Sequence, residues 1–264
     1  MILDGRTAIV TGSGGTGCGR AIARRLAGEG AVVVVCDANQ SGGEETVRMI
    51  EDAEGRALFR PVDVRQEVQI RDVVAFAAND VGPLGVLVNN ATAPFHHGYE
   101  MDAWLVTAET DFIGPLIATR YAVEAMRRTG QGGAIVNISS ISALWHGRRI
   151  PSGAPVYDAA KAGLLRLTTG LAEFAKTDNI RVNCLAPGWI ATDGPRQYWE
   201  SLTPEQRVER GVPAALLSTE QVAGAVVRLA TDESLSGRVL VWWSDDEPRL
   251  IEWGDRGYRG WTPF

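Results

Sequence analysis

Residues Arg6 to Thr11 (RTAIVT) form a short apolar run rich in β-branched side chains. The run passes directly into Gly12-Ser13-Gly14-Gly15-Thr16-Gly17-Cys18-Gly19. Beyond it, Arg20 to Gly28 carries Ala21, Ile22 and Leu26 at helical spacing. A continuous apolar run suits a strand buried on both faces of a parallel sheet. Strand, glycine-rich turn and helix in that order commit the chain to a βα unit whose next strand returns by a right-handed crossover. Glycines let a ligand approach the backbone, and the helix N-terminus offers N–H donors and the positive end of its dipole. In this context the turn predicts a pyrophosphate cradle formed by Gly12, Ser13, Gly14, Thr16, Gly17 and Cys18. A merely flexible turn is the alternative.

The alternation continues. Ala31 to Cys36 (AVVVVC) reads as a second buried strand ending at Asp37. Helices are expected over Ser41–Ala53, capped by Ser41, and over Gln66–Val81, with strands at Ala57–Val62 and Val86–Val88. Strands alternating with helices predict an α/β fold: one doubly wound parallel sheet with helices on both faces. Ligands of such sheets lie beyond the carboxyl ends of the strands, so the loops after Thr11, Cys36, Val62 and Val88 face one crevice. An acidic residue at the end of the second strand accepts hydrogen bonds from adenosine ribose hydroxyls and repels a 2′-phosphate. Asp37 therefore points to NAD rather than NADP. Arg20, the nearest cation in the loop region, is the one feature favouring NADP.

Tyr157-Asp158-Ala159-Ala160-Lys161 places a phenol and an ammonium at i and i+4, on one face of a helix. The ammonium favours the phenolate, which prepares the tyrosine to exchange a proton near neutral pH. Lysine is rare here: Lys161 and Lys176 are the only two, and the other cations are arginines. A chance surface pair is the competing reading.

At 264 residues the chain has the length of one α/β domain with a sizeable core. A net charge of −6 argues against nucleic acid and anionic membrane surfaces as partners. The start of the chain does not read as a secretion signal, and no apolar run approaches the ~20 residues of a membrane span. Cys18, Cys36 and Cys184 are odd in number and far apart, which predicts reduced thiols and a cytoplasmic protein. His96, His97 and His146 lie in expected loops. His96 or His97 could act as a base, but three scattered histidines predict no metal site. The sequons at Asn90 and Asn137 are expected to carry no glycan.

Taken together, Thr11-Gly12 with Gly17-x-Gly19, Asp63-Val64, Asn89-Asn90-Ala91, Ile135-Val-Asn-Ile-Ser-Ser140, Tyr157-x-x-x-Lys161 and Arg181-Val-Asn-x-x-x-Pro187-Gly188 stand in the order of the short-chain dehydrogenase/reductase family. The chain resembles that family from residue 6 to about residue 243. The resemblance implies a single Rossmann-type domain and reversible hydride transfer between NAD and a secondary alcohol or ketone. It implies that Asp63 and Val64 hold the adenine and that Asn90 and Ala91 lie along the cofactor. Pro187, Gly188, Ile190 and Thr192 would position the nicotinamide carboxamide. Ser140 would orient the substrate oxygen, with Ser139 its near neighbour. Tyr157 would be the acid/base, and Lys161 would tune it and hold the nicotinamide ribose. The family's catalytic asparagine falls on Asp111, within an amphipathic stretch, Trp104 to Arg128, expected to bend near Gly114-Pro115. An ionised aspartate only accepts hydrogen bonds. Asp111 would pair with Lys161 and weaken its pull on Tyr157.

Three other features depart from the family. Four residues separate Gly12 from Gly17, one more than usual. The loop Ser142–Pro155 is longer and brings Leu144, Trp145, His146 and Arg148 towards substrate. The last expected strand, Arg238–Trp242, ends in Trp242-Trp243-Ser244 instead of a small glycine-containing turn, and a tail follows over about 244–264. That tail is expected to pack on another subunit or over the pocket, with free disorder as the alternative. The region 189–215 resembles the family's substrate lid. Trp189, Tyr198, Trp199 and Leu202 make it apolar, for a hydrophobic substrate or for packing onto the core. The resemblance also implies a homotetramer or homodimer joined through Trp104–Arg128 and Val156–Thr177. Two alternatives are a dinucleotide-binding sensor with little catalysis and a lyase or epimerase on the same fold. Dehalogenase relatives usually lose the glycine loop and replace the lysine, and this chain keeps both.

Overall fold

The computed structural model describes residues 2–94, 101–145, 154–244 and 246–254. His96, His97, His146, Arg148 and the end of the tail lie outside them.

The chain runs β1 (Thr7–Thr11), α1 (Cys18–Gly28), β2 (Val32–Asp37), α2 (Gln40–Glu51), β3 (Arg56–Pro61), α3 (Glu67–Phe76) and β4 (Leu84–Asn89). It continues through α4 (Asp102–Ala108), α5 (Gly114–Thr129), β5 (Gly133–Ile138), α6 (Pro155–Gly170), α7 (Phe174–Thr177) and β6 (Ile180–Pro187). Last come α8 (Asp193–Glu200), α9 (Pro204–Glu209), α10 (Thr219–Thr231), β7 (Val239–Trp242) and β8 (Arg249–Leu250). The sheet order is β3-β2-β1-β4-β5-β6-β7-β8. β1 to β7 pair in parallel, and β8 adds an antiparallel edge.

Strand side chains alternate between two apolar layers, as the pleat requires. Ala8, Val10, Val33, Val35, Val86 and Val88 pack under α1, α2 and α10. Ile9, Val34, Leu87, Ile135 and Val182 pack under α3 and α5. Where both faces are dry, as in β1, β2 and β4, the strands read as apolar runs. The order reverses between β1 and β4, which opens the crevice at the carboxyl ends of those strands.

Several boundaries differ from the sequence reading. Asn39, not Ser41, caps α2, because its side-chain oxygen accepts the Gly42 N–H. The helix expected over Val156–Thr177 stops at Gly170, and α7 is a separate turn. The bend near Gly114-Pro115 is a π-helical turn over Glu109–Ile113, where the Gly114 N–H reaches back five residues to the Glu109 carbonyl. Pro115 has no N–H to donate into the turn before it, and such one-turn π segments recur at functional sites. Part of the tail returns to the sheet as β8 rather than leaving the fold.

Candidate active site

Close packing fixes the glycine loop. Gly12 is left-handed (φ +66°), and a Cβ on it would lie 2.6 Å from the Ala91 Cα. A Cβ on Gly19 would lie 2.1 Å from the Gly12 carbonyl oxygen, and one on Gly14 would lie 2.8 Å from the Asp37 side chain. These glycines clamp the loops after β1, β2 and β4 together. Gly15 and Thr16 are exposed, and Gly17 starts α1 with no side-chain cap and no acidic residue in the first turn. The first-turn N–H groups thus face the crevice without a side-chain acceptor, a donor set that fits a pyrophosphate. Ser13 plays a different part. It is fully buried; its N–H donates to the Cys36 carbonyl at 3.1 Å, and its hydroxyl donates to that of Val10 at 2.8 Å. Burial pushes the Cys18 thiol up to about 12, which keeps it a neutral thiol.

Asp37 accepts the N–H of Gly14 at 2.7 Å and that of Asn39 at 2.8 Å. Its carboxylate keeps lone pairs for hydroxyl donors. Arg20 is engaged within the protein: its Nε donates to Thr46 at 3.0 Å, and its NH2 donates to the carbonyls of Gly42 at 3.2 Å and Gly14 at 3.4 Å. Asp63 is gripped by Arg65 through both carboxylate oxygens, at 3.0 and 2.6 Å, and this hydrogen bonding holds its carboxyl below the usual range. Val64 is buried, and its carbonyl lies so close to Gly114 that a Cβ there would come within 2.5 Å. The Asn90 amide donates to the carbonyls of Thr11 (2.9 Å) and Gly12 (3.0 Å). Thr11 returns the support by accepting the N–H groups of Asn90 and Ala91. Asn137 is wholly buried between Asn89 and Thr168, so neither sequon offers a free amide.

The chemistry-bearing side chains converge from β5, α6 and the π turn. Ser139 is buried and donates to the Lys161 carbonyl at 2.8 Å, which ties it to α6. Ser140 is half-buried, and its hydroxyl caps a 3₁₀ turn over Ile141–Leu144 by accepting the Ser142 N–H at 3.2 Å. That distinguishes the two serines: Ser140 is the one on the open side. Tyr157 is half-buried, and the Lys161 ammonium lies 5.4 Å from its ring centroid. Lys161 is 3% exposed and Asp111 0%. Lys161 Nζ meets Asp111 Oδ1 at 2.9 Å and donates to the Ile138 carbonyl at 3.1 Å. Burial disfavours the ammonium. The Asp111 charge, aided by Tyr157, more than offsets this, and the Lys161 pKa is raised. Asp111 is fully ligated, for Thr92 donates to Oδ1 at 2.6 Å and the Ala93 N–H to Oδ2 at 3.1 Å. The sequence reading missed Thr92 and Ala93, because only the fold brings the loop after β4 against the π turn.

Aromatic pairs flank this cluster in the chain. Trp145 and Trp243 sit 5.8 Å apart between ring centroids, and Trp189 stacks on Tyr198 at 5.9 Å. Trp243 lies on Gly188, where a Cβ would approach its ring to 3.0 Å. Its position at the unusual end of β7 was the available signal for it. Trp199 is engaged within the lid: its Nε1 donates to the Pro213 carbonyl at 2.9 Å and Arg207 stacks on its ring at 3.4 Å. Leu202 is buried, so it serves packing. Pro187 ends β6, the Gly188 N–H donates to the Trp242 carbonyl, and Ile190 bridges to Leu217. Thr192 starts α8, and the Thr16 hydroxyl donates across to Asp193 at 3.0 Å. Among the described residues no cluster of His, Cys, Asp and Glu suits a metal ion.

The model of the short chain dehydrogenase family matches residues 6–202. The chain is 36% identical to a cis-4-hydroxycyclohexanecarboxylate dehydrogenase of Sinomonas cyclohexanicum, over 86% of this chain and 90% of that one. It is 35% identical to an L-rhamnose 1-dehydrogenase (NAD(P)(+)) of Azotobacter vinelandii, over 88% and 92%. The fold resembles that of a 7α-hydroxysteroid dehydrogenase complexed with NADH and 7-oxo glycochenodeoxycholic acid. The TM-score is 0.79 at 29% identity, covering 90% of this chain and 93% of that one. Motif order, sheet order, the Tyr157 and Lys161 pair on one helix, and a family match over most of the chain agree: this chain belongs to the short-chain dehydrogenase family.

Proposed function

We propose that the protein oxidises a secondary alcohol, or reduces the matching ketone, with NAD as hydride carrier and a hydrophobic molecule as substrate. One observation carries the reading. Tyr157 and a charged, buried Lys161 stand on one helix face, and Ser139, the chain neighbour of Ser140 just past the end of β5, ties that helix to the sheet. The nicotinamide supplies the hydride chemistry. Ser140 donates to the substrate oxygen and orients it. Tyr157 takes the hydroxyl proton during oxidation and returns it during reduction. Lys161 holds positive charge beside the phenol, and Asp111 keeps Lys161 charged.

NAD is favoured over NADP by the Asp37 carboxylate at the end of β2 and by Arg20, whose guanidinium is engaged with Thr46 and Gly42. A hydrophobic substrate is favoured by Trp145, Trp189 and Tyr198. The two relatives above named for a hydroxycyclohexane acid and a steroid point the same way. Trp199 belongs to the lid's bracing rather than to the substrate surface. The test is NADH and NADPH formation across aliphatic, cyclic and steroidal secondary alcohols. We expect turnover with NAD and a loss of about 10²–10⁴-fold in kcat for Tyr157→Phe. NAD binding without turnover in either direction would replace the dehydrogenase by a sensor.

A further inference from the structure

In the sheet, β6 lies between β5 and β7. Adjacent strands stand ~4.8 Å apart, so about 10 Å separates β5 from β7. Two indoles bridge that gap. Trp145 closes the 3₁₀ turn that follows β5 and that Ser140 caps. Trp243 follows the last residue of β7. Their ring centroids lie 5.8 Å apart, with the planes tilted by 49°. Trp243 lies against Gly188, just past the end of β6, where a Cβ would come within 3.0 Å of its ring. The pair thus crosses the carboxyl end of β6, on the edge of the sheet where ligands of such folds bind. A four-residue 3₁₀ turn rises only about 8 Å, which keeps Trp145 near Ser140.

The turn that carries Trp243 is held from several sides. The Gly188 N–H donates to the Trp242 carbonyl at 2.7 Å, and the Asp246 N–H donates to the Trp243 carbonyl at 2.7 Å. Trp242 Nε1 donates to the Asp246 carbonyl at 3.0 Å, and β8 pairs back on β7. The turn is also costly. Ser244 sits at φ +25°, and its buried hydroxyl has no hydrogen-bond partner among the described residues. Glycine would take that backbone freely and leave no hydroxyl to bury. A strained residue and an orphaned polar atom collect where a fold serves a site rather than its own stability. The residue they adjoin here is an indole at the carboxyl edge of the sheet.

We propose that Trp243, together with Trp145, is a specificity determinant of the site and selects alcohols whose carbinol carbon belongs to a ring. This rests on the dehydrogenase reading. Indoles are large, apolar and rigid, so a cyclic alcohol docks on them with little entropy lost on either side. An open-chain alcohol of equal carbon number must freeze its own torsions to make the same contact. Ser140, which orients the substrate oxygen in that reading, starts the same 3₁₀ turn that ends at Trp145.

The test sets cyclohexanol against 2-hexanol in NADH formation. It also sets cyclohexanone against 2-hexanone in calorimetric binding to the NAD complex, where no hydride can move. Trp243→Leu removes the aromatic face, and Trp243→Phe keeps one. We expect Trp243→Leu to lower kcat/KM, through KM, about three- to tenfold more for cyclohexanol than for 2-hexanol. Cyclohexanone binding should weaken by a similar factor, and Trp243→Phe should recover most of both. Trp145→Leu, at an indole 46% exposed, should shift the same ratio, and it decides the matter if Trp243→Leu does not fold. Equal losses on the two alcohols in both leucine variants would overturn the proposal, because a turn that merely braces Gly188 serves every substrate alike. A wild type without preference for the cyclic member of either pair would also overturn it. A wild type that prefers cyclohexanone in binding, loses that preference in Trp243→Leu and yet forms no NADH would defeat the dehydrogenase reading and keep the aromatic wall.

Discussion

Asp111 and Lys161 illustrate how a buried charge is tolerated only in company. Burial penalises both ions, and the pair stands because the carboxylate receives three donors and the ammonium has a carbonyl as well. Removing one partner strands the other. Asp111→Ala should destabilise the fold by about 3–5 kcal/mol, measured by denaturant unfolding, whereas Asp111→Asn should cost less because the amide retains the hydrogen-bonding shape. The sign of the pH effect follows from Lys161, whose folded pKa is raised. That contribution is fully present below its ordinary value near ~10.5 and is lost as pH rises through the higher folded value. In Asp111→Asn the burial penalty on the ammonium persists without the carboxylate. The alkaline limb of the kcat profile should therefore move to lower pH. An unmoved profile would take Asp111 out of the mechanism. Asp37 makes the second prediction at this scale. Asp37→Ser should lower NAD kcat/KM and narrow the gap to NADP, because the carboxylate both repels a 2′-phosphate and fastens Gly14. A gap as wide as in the wild type would assign cofactor choice elsewhere.

At the scale of elements, the glycine loop joins α1 to the neighbouring strands through contacts that leave no room for a side chain. Gly19→Ala would drive a methyl into the Gly12 carbonyl. It should lower the melting temperature and weaken NADH binding together, read by calorimetry and fluorescence titration. Weakened binding at an unchanged melting temperature would mean that the glycine serves the cofactor alone. The strands and their order of function were legible in the sequence, since a parallel sheet buried on both faces writes itself as apolar runs closed by chemistry-bearing residues. Ser140, Tyr157 and Lys161 were legible for the same reason, each lying at a strand end or on one helix face. The π turn was not legible, because the extra residue in Glu109–Ile113 shifts hydrogen bonding without altering local composition. Thr92 against Asp111 and Trp145 against Trp243 were hidden as well, because sequence spacing does not encode contacts made by loops of different strands. The lid was read as apolar and aromatic, for a hydrophobic substrate or for packing onto the core. The side-chain geometry divides it: Trp199 and Leu202 brace it, and Trp189 and Tyr198 stack as a pair.

The whole molecule carries apolar surface that the fold itself does not need. Along α4, the π turn and α5, Leu105 is 74% exposed, and Ile113 and Leu116 are also exposed; Met101, just before α4, is 67% exposed. Three large apolar side chains on one continuous helical rod, with a fourth at its start, exceed the scattered singles expected of a monomer surface. α4 and the π turn also pack against α6, the helix of Tyr157 and Lys161. Anything that buries this rod also stiffens the elements that hold Asp111 against Lys161. We propose that a second copy of the chain covers it, giving a homodimer or homotetramer. A symmetric contact would bury the rod against itself, in keeping with the self-complementary patch that a two-fold interface requires. Leu105→Glu combined with Leu116→Glu should convert the assembly to monomers in sedimentation velocity, because a charge buried against its own copy meets a like charge. The same variant should lose kcat more than NADH affinity, since Asp111, the partner of Lys161, lies within the rod. A wild-type protein that sediments as a monomer would defeat the assembly. A dimer untouched by both substitutions would move the interface to another face.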